Sequence, residues 1–171
     1  KGSSKEYRFR IENERSRIVN VFESEIDLLS YYTMQNEEDR YENYISLGGL
    51  SDRALKSFLK ERWRVHKDID QINICVDNDA AGDTFAKKIA KELKECTYEY
   101  PNKTESVKYI ITREKPVCKD FNEDLVNKVW YKRKRTEIFL DDVQEVKKKT
   151  LPDSGTYVSI KGGKPTVILA Y

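Results

Sequence analysis

The chain has 171 residues, 38% hydrophobic, 11% aromatic and 36% charged, which fits one domain, or one domain with an appendage, built on a real core under a very polar exterior. No run of 18 apolar residues occurs, so neither a membrane span nor a membrane partner is expected, and Lys1-Gly2-Ser3-Ser4-Lys5 lacks the apolar segment of a secretion signal. The net charge of +2 conceals an asymmetry: residues 126–171 hold ten Lys/Arg against five Asp/Glu, whereas residues 1–125 hold 22 against 25.

The cysteines (Cys75, Cys96 and Cys118) are odd in number and far apart, without a CxxC pair, so a reducing, cytoplasmic setting is expected. His66 is the sole histidine. That excludes a His-rich zinc site and argues against Ser-His-Asp catalysis.

In chain order, Tyr7 to Ile11 alternates like an edge strand, and Ile18 to Phe22 forms a short apolar strand ending at Glu23. Ser24 and Asp27 mark the start of a helix carrying Ile26, Leu29 and Met34. A strand over Tyr44 to Leu47 leads to Gly48-Gly49, a pair suited to a tight turn, and Ser51 is the expected cap of a second helix with Ala54, Leu55, Phe58 and Leu59 inward. Gln71 to Val76 is a third strand, followed by a helix from Ala80 to Leu93 with its lysines mostly outward.

Residues 96–100 and 107–112 read as two further strands, and Phe121 to about Tyr131 as a helix. A hairpin around Gly162-Gly163 closes the chain. Three consecutive strand–helix units predict an α/β fold, with a mostly parallel sheet flanked by helices and a small C-terminal appendage.

The chemistry concentrates at strand ends. Glu23 follows the first of the three strands, and Asp77 and Asp79 follow the third in Val76-Asp77-Asn78-Asp79-Ala80-Ala81-Gly82. Parallel strands point their carboxyl ends to one edge, where open α/β sheets bind ligands. Hard carboxylate oxygens on a short turn suit Mg²⁺, or Mn²⁺ in its place, with water and phosphate filling the other positions. Asp77 and Asp79 are also good turn and helix-cap residues, Asp27 reads chiefly as a cap, and Gly48-Gly49 is an ordinary turn taken alone.

Taken together, Val21-Phe22-Glu23-Ser24-Glu25-Ile26-Asp27, Ile45-Ser46-Leu47-Gly48-Gly49-Leu50 and Val76 to Gly82 resemble a Toprim domain, the module shared by bacterial-type primases, topoisomerases and related nucleases. The primase type is the nearer likeness, because Lys119-Asp120-Phe121-Asn122-Glu123-Asp124-Leu125 is similar to a Lys-Asp-Pro-Asp segment of that pattern. Residues 2–9 and 22–31 further resemble Toprim-like proteins of bacterial plasmids and conjugative elements, often joined to an N-terminal zinc-finger segment.

The resemblance implies a Rossmann-like Toprim domain over 18–125, an N-terminal strand and connection over 1–17, and a basic appendage over 126–171. It implies Glu23 as an acid/base or metal-linked glutamate, Asp77 and Asp79 as Mg²⁺ ligands, Asp120 as a weaker ligand, and Gly82 as the residue permitting a close helix start. Ser24-Glu25 stands where primases commonly have Gly-Tyr, and Phe121-Asn122 where Pro-Asp is usual. The implied partners are a DNA or RNA/DNA template and nucleotides, with a zinc-binding segment or a replication or conjugation partner outside this chain.

In Trp130-Tyr131-Lys132-Arg133-Lys134-Arg135, aromatics adjoin four cations, a composition able to neutralise phosphates and stack on bases, or simply to solvate a helix end. The leading expectation is a Mg²⁺-dependent nucleotidyltransferase module for primer synthesis in replication of a mobile element. Strand cleavage by the same carboxylates and a non-catalytic DNA-binding or assembly module are the alternatives. An aspartyl-phosphate phosphatase ranks lower, since its Asp-x-Asp pair usually follows the first core strand and precedes Thr or Val.

Overall fold

A computed structural model describes residues 7–37, 39–100, 103–129, 135–138, 156–161 and 164–169. Six strands form the principal sheet, β1 (Arg10–Ile11), β2 (Ile18–Phe22), β3 (Asn43–Ser46), β4 (Gln71–Cys75), β7 (Ile110–Glu114) and β8 (Arg135–Glu137), in the order β1-β3-β2-β4-β7-β8. The four central strands are mutually parallel, with Phe22 in register with both Ser46 and Cys75. The edge strands β1 and β8 run antiparallel to their neighbours.

The helices are α1 (Glu25–Met34), α2 (Arg53–Arg64), α3 (Ala80–Leu93) and α4 (Phe121–Asn127). The connection through α1 carries the chain from β2 to one neighbour, β3, and the connection through α2 carries it back past β2 to β4. Right-handed crossovers in opposite directions put their helices on opposite faces of the sheet. The packing follows that rule. Val19, Val21, Ile72, Ile74 and Val76 share a core with α2 and α3, whereas Phe22, Tyr44 and Cys75 pack with Leu28, Tyr31 and Met34 of α1 and Phe121 of α4. Each large side chain buried this way contributes about 1.5–3 kcal/mol.

Several boundaries depart from the sequence reading. The expected strand over 107–112 is divided: β6 (Lys103–Lys108) pairs with β5 (Glu95–Tyr100) as a separate hairpin, and β7 begins after Tyr109. The break is held by Tyr109, whose N–H donates to Lys94 O and whose hydroxyl meets that of Tyr98 at 2.8 Å. Asp52 rather than Ser51 precedes α2, without a side-chain cap, since its carboxylate pairs with Lys56. The helix expected to reach Tyr131 stops at Asn127, because Lys128 turns left-handed (φ 56°) and Val129 N closes on Asp124 O.

Beyond Leu140 lies a second compact unit, 141–171, in which β9 (Thr156–Lys161) pairs antiparallel with β10 (Lys164–Leu169) in the hairpin expected there.

Candidate functional site

The order of connections reverses between β2 and β4, and open sheets of this kind usually bind ligands beyond the carboxyl ends of the strands at such a point. Glu23 follows β2 there, and Asp77 and Asp79 follow β4. Local chemistry shapes each arm. Gly48 (φ 61°) and Gly49 (φ 106°) let the chain after β3 curl so that Gly49 N donates to Glu23 O at 2.9 Å. Asp79 caps α3 by accepting from Gly82 N at 2.7 Å. Gly82 is dictated by contact, since a Cβ there would sit 2.2 Å from Asp77 O.

Two residues organise this rim, Asp27, expected chiefly as a helix cap, and Arg113, for which no role was expected. Arg113 of β7 is almost fully buried and donates from Nη1 to Ile74 O (3.1 Å) and Val76 O (2.8 Å), and from Nη2 to Asp77 O (2.8 Å). Its guanidinium thus gathers the terminal carbonyls of β4 and the first carbonyl of the Asp-x-Asp turn. Burial lowers its pKa, while Asp83, Asp77 and Asp79 act to raise it. Asp27 is buried in α1, its carboxylate accepts from the Ser24 hydroxyl while its own N–H donates to Ser24 Oγ (3.1 Å), and it receives Asn122 N at 3.4 Å, tying α1 to α4. The signals for Asp27 were its place three residues after a capping serine and at the end of the Val21–Asp27 motif, and Arg113 carried none.

The segment before α4 completes the rim. Asp120 caps α4 through Glu123 N (2.8 Å), and Asn78 N donates to Lys119 O at 2.8 Å, docking that loop on the Asp-x-Asp turn. Glu23 is raised above the ordinary carboxyl range by burial first, then by Asp77, Asp79 and Asp27, with Lys119 opposing. Asp77 is raised by burial, then by Asp27, Asp120 and Asp79, again opposed by Lys119. Asp27 is raised by burial and by Asp120, against its hydrogen bonds to Ser24, Asn122 and Phe121. Five carboxylates from four segments of the chain therefore share one field, with Lys119 and the buried Arg113 as the opposing cations.

That field favours a cation, and the hard oxygen donors fit Mg²⁺ better than a soft metal. Among the described residues, no three Asp, Glu, His or Cys side chains are arranged to hold a metal by themselves. One oxygen of Asp79 and one of Asp120 cap a helix, which leaves the other oxygen of each for a ligand. A carboxylate site of one or two ligands, completed by water and phosphate, needs no closed cage.

Of the tail cations, Lys132, Arg133 and Lys134 lie outside the described residues. Arg135 has its guanidinium drawn inward, with Nε 3.2 Å from Glu114 Oε2 and Nη2 3.5 Å from Glu42 Oε2.

The family model described as Toprim-like matches residues 20–125. The chain belongs to the Toprim-like family. It is 33% identical over 90 residues, 52% of its length, to an uncharacterized protein of Bacillus anthracis, pXO2-78, of which it spans 26%. Two solved structures resemble it. One is a chain from the structure of the bacteriophage T7 lagging-strand DNA polymerase interacting with primase domains of two gp4 subunits bound to an RNA/DNA hybrid and dTTP, with a TM-score of 0.44, 24% identity, and coverage of 67% of this chain and 50% of that one. The other is the primase fragment of the T7 primase-helicase protein, with a TM-score of 0.40, 25% identity, and coverage of 67% and 41%. The Toprim-like chain thus corresponds to half or less of each of these proteins. No described helix is long and apolar enough to cross a membrane.

Proposed function

We propose that this Toprim-like chain is the metal-dependent phosphoryl-transfer module of a primase-like nucleotidyltransferase, acting on a nucleic-acid template and nucleotides in replication of a mobile element. The observation carrying this reading is the shared field of Glu23, Asp77 and Asp79 at the carboxyl ends of β2 and β4, opposed by Lys119 and, behind the two aspartates, by the buried Arg113. Asp77 and Asp79 would hold Mg²⁺, or Mn²⁺ in its place, with Asp120 nearby. The ion, when bound, would supply charge to offset phosphoryl oxygens.

The chain's own residues have distinct parts. Glu23 would serve as the acid/base group at its carboxyl oxygen, since burial and its acidic neighbours raise its pKa from the ordinary value. Arg113 and Gly82 fix the Asp-x-Asp turn, so the two aspartates meet the substrate with little rearrangement. Lys119 adds the positive charge through which an anionic group approaches the rim.

The test is template-directed nucleotide incorporation by the full-length protein containing this module. Asp77→Asn and Asp79→Asn are each expected to lower the rate by at least about a hundredfold, with folding intact by circular dichroism. Undiminished synthesis in both variants overturns the reading in favour of a binding or assembly module. Metal-dependent nicking without synthesis redirects it to strand cleavage.

A further inference from the structure

The face opposite α1 and α4 carries a second feature, independent of the acidic rim. Every exposed position of α2 is a cation: Arg53, Lys56, Lys60 and Arg64. They recur at three- and four-residue spacing, about 4.5–6 Å apart along the axis, in a row about 16 Å long. Arg53, Lys56, Ser57, Lys60 and Arg64 line a groove of about 400 Å³ that contains no acidic side chain. Beside it, α3 exposes Lys87, Lys88 and Lys91, and Lys94 follows at its end.

Few of these charges are neutralised within the fold. Lys56 pairs with Asp52 and with Glu92 (2.9 Å), and Lys88 lies 3.8 Å from Glu92. Among the described residues, Arg53, Lys60 and Lys91 have no acidic partner, and Lys87 acts on Asp83 only at a distance. Like charges repeated every turn lower helix stability slightly, so the row has a cost that the fold itself does not require.

We propose that this face binds the phosphate backbone of a nucleic-acid strand. A row of charges at nearly constant spacing complements a polymer with one charge per unit, and both helices start at the rim of Glu23, Asp77 and Asp79 and descend from it. The rows therefore form a track leading to that edge. An anionic membrane is the poorer occupant: the apolar residues of α2 are committed to the core, so the helix has no exposed apolar face to insert.

The test is fluorescence anisotropy of a labelled single-stranded oligonucleotide with the full chain, in EDTA so that no metal bridge contributes, over a series of salt concentrations. The double variant Arg53→Gln/Lys60→Gln is expected to raise Kd about tenfold and to flatten the log Kd against log salt slope by about 1.4, the loss of two phosphate contacts. Arg15→Gln, an exposed cation at the other end of the strands, is expected to change neither. Unchanged slope and affinity in the double variant overturn the proposal. So does an equal loss in Arg15→Gln, and so does loss of binding to phosphatidylserine vesicles while oligonucleotide binding persists. If both glutamines reduce the melting temperature, Lys87→Gln/Lys91→Gln on α3 gives the same readout. Because the assay excludes metal and reads no incorporation, its failure leaves the incorporation test of the phosphoryl-transfer reading untouched, and the two failures are told apart.

Discussion

Two clusters of ionisable and polar groups lie in this sheet, and they are resolved in opposite ways. Under α1, Asn20 of β2, Asn73 of β4 and Thr112 of β7 sit side by side in register across the sheet. Asn73 donates to Asn20 Oδ1 (2.8 Å) and Thr112 donates to Asn73 Oδ1 (3.0 Å). Glu114 accepts from Tyr31 at 2.9 Å and pairs with Arg135, which in turn reaches Glu42. At the rim, by contrast, five carboxylates face two cations, Lys119 and the buried Arg113, whose hydrogen bonds go to backbone carbonyls. Buried charge that is paired and hydrogen-bonded holds structure; charge left in excess at a crevice is what a ligand can use.

The largest expected effect comes from breaking the balanced cluster. Glu114→Ala removes the acceptor of Tyr31 and a partner of Arg135, and a loss of about 3–4 kcal/mol is expected in urea denaturation. A value below about 1 kcal/mol would show the network to be an incidental one.

Gly82→Ala acts on the other cluster by steric means. The new Cβ meets Asp77 O, a backbone atom that Arg113 holds in place, and a loss of about 2–3 kcal/mol is expected. Neutral behaviour in the same titration would mean that the turn yields freely and is not preorganised.

Ligand linkage separates the clusters next. Mg²⁺ at ten times its dissociation constant adds about 1.4 kcal/mol to a protein that binds it only when folded. Thermal melts are expected to rise with Mg²⁺ in the parent and in a Glu42→Gln variant, and to stay flat in Asp77→Asn. Equal responses in all three would detach the ion from the rim.

The smallest effect is one of pH. Glu23, Asp27 and Asp77 have folded-state values above their unfolded ones, so the folded chain binds more protons between about pH 4 and those raised values. Their contribution is fully present below the ordinary carboxyl range and is lost as pH rises through the window. Asp70 and Asp83, pulled down by hydrogen bonds from Arg17 and Lys115, work in the reverse sense below about pH 4. In metal-free buffer, Asp77→Asn is therefore expected to flatten the decline from pH 4.5 to 7 relative to the parent. A steeper decline in the variant would contradict the repulsion described at the rim.

Much of the rim was legible because its parts announce themselves locally. An apolar run ending directly in Glu23 or in Asp77-Asn78-Asp79 marks a strand end, and parallel order then puts the ends on one edge. The balanced cluster was not legible. Asn20, Asn73 and Glu114 look like polar interruptions until register aligns them, and Arg135 hid within a run of cations although its partners lie 21 and 93 residues away. The divided strand at Tyr109 escaped for a related reason: residues 103–114 contain no glycine or proline, and the break depends on contacts to Lys94 and Tyr98.

The two flanking strands have a bearing on how the protein behaves at high concentration. β1 is two residues long and β8 three, and each runs against the direction of its neighbour. Arg10 in one is clamped between Glu12 and Glu61, and Arg135 stands in the other. Margins so short and so charged offer little template for another copy's backbone, which guards the chain against growing sheet upon sheet into fibres.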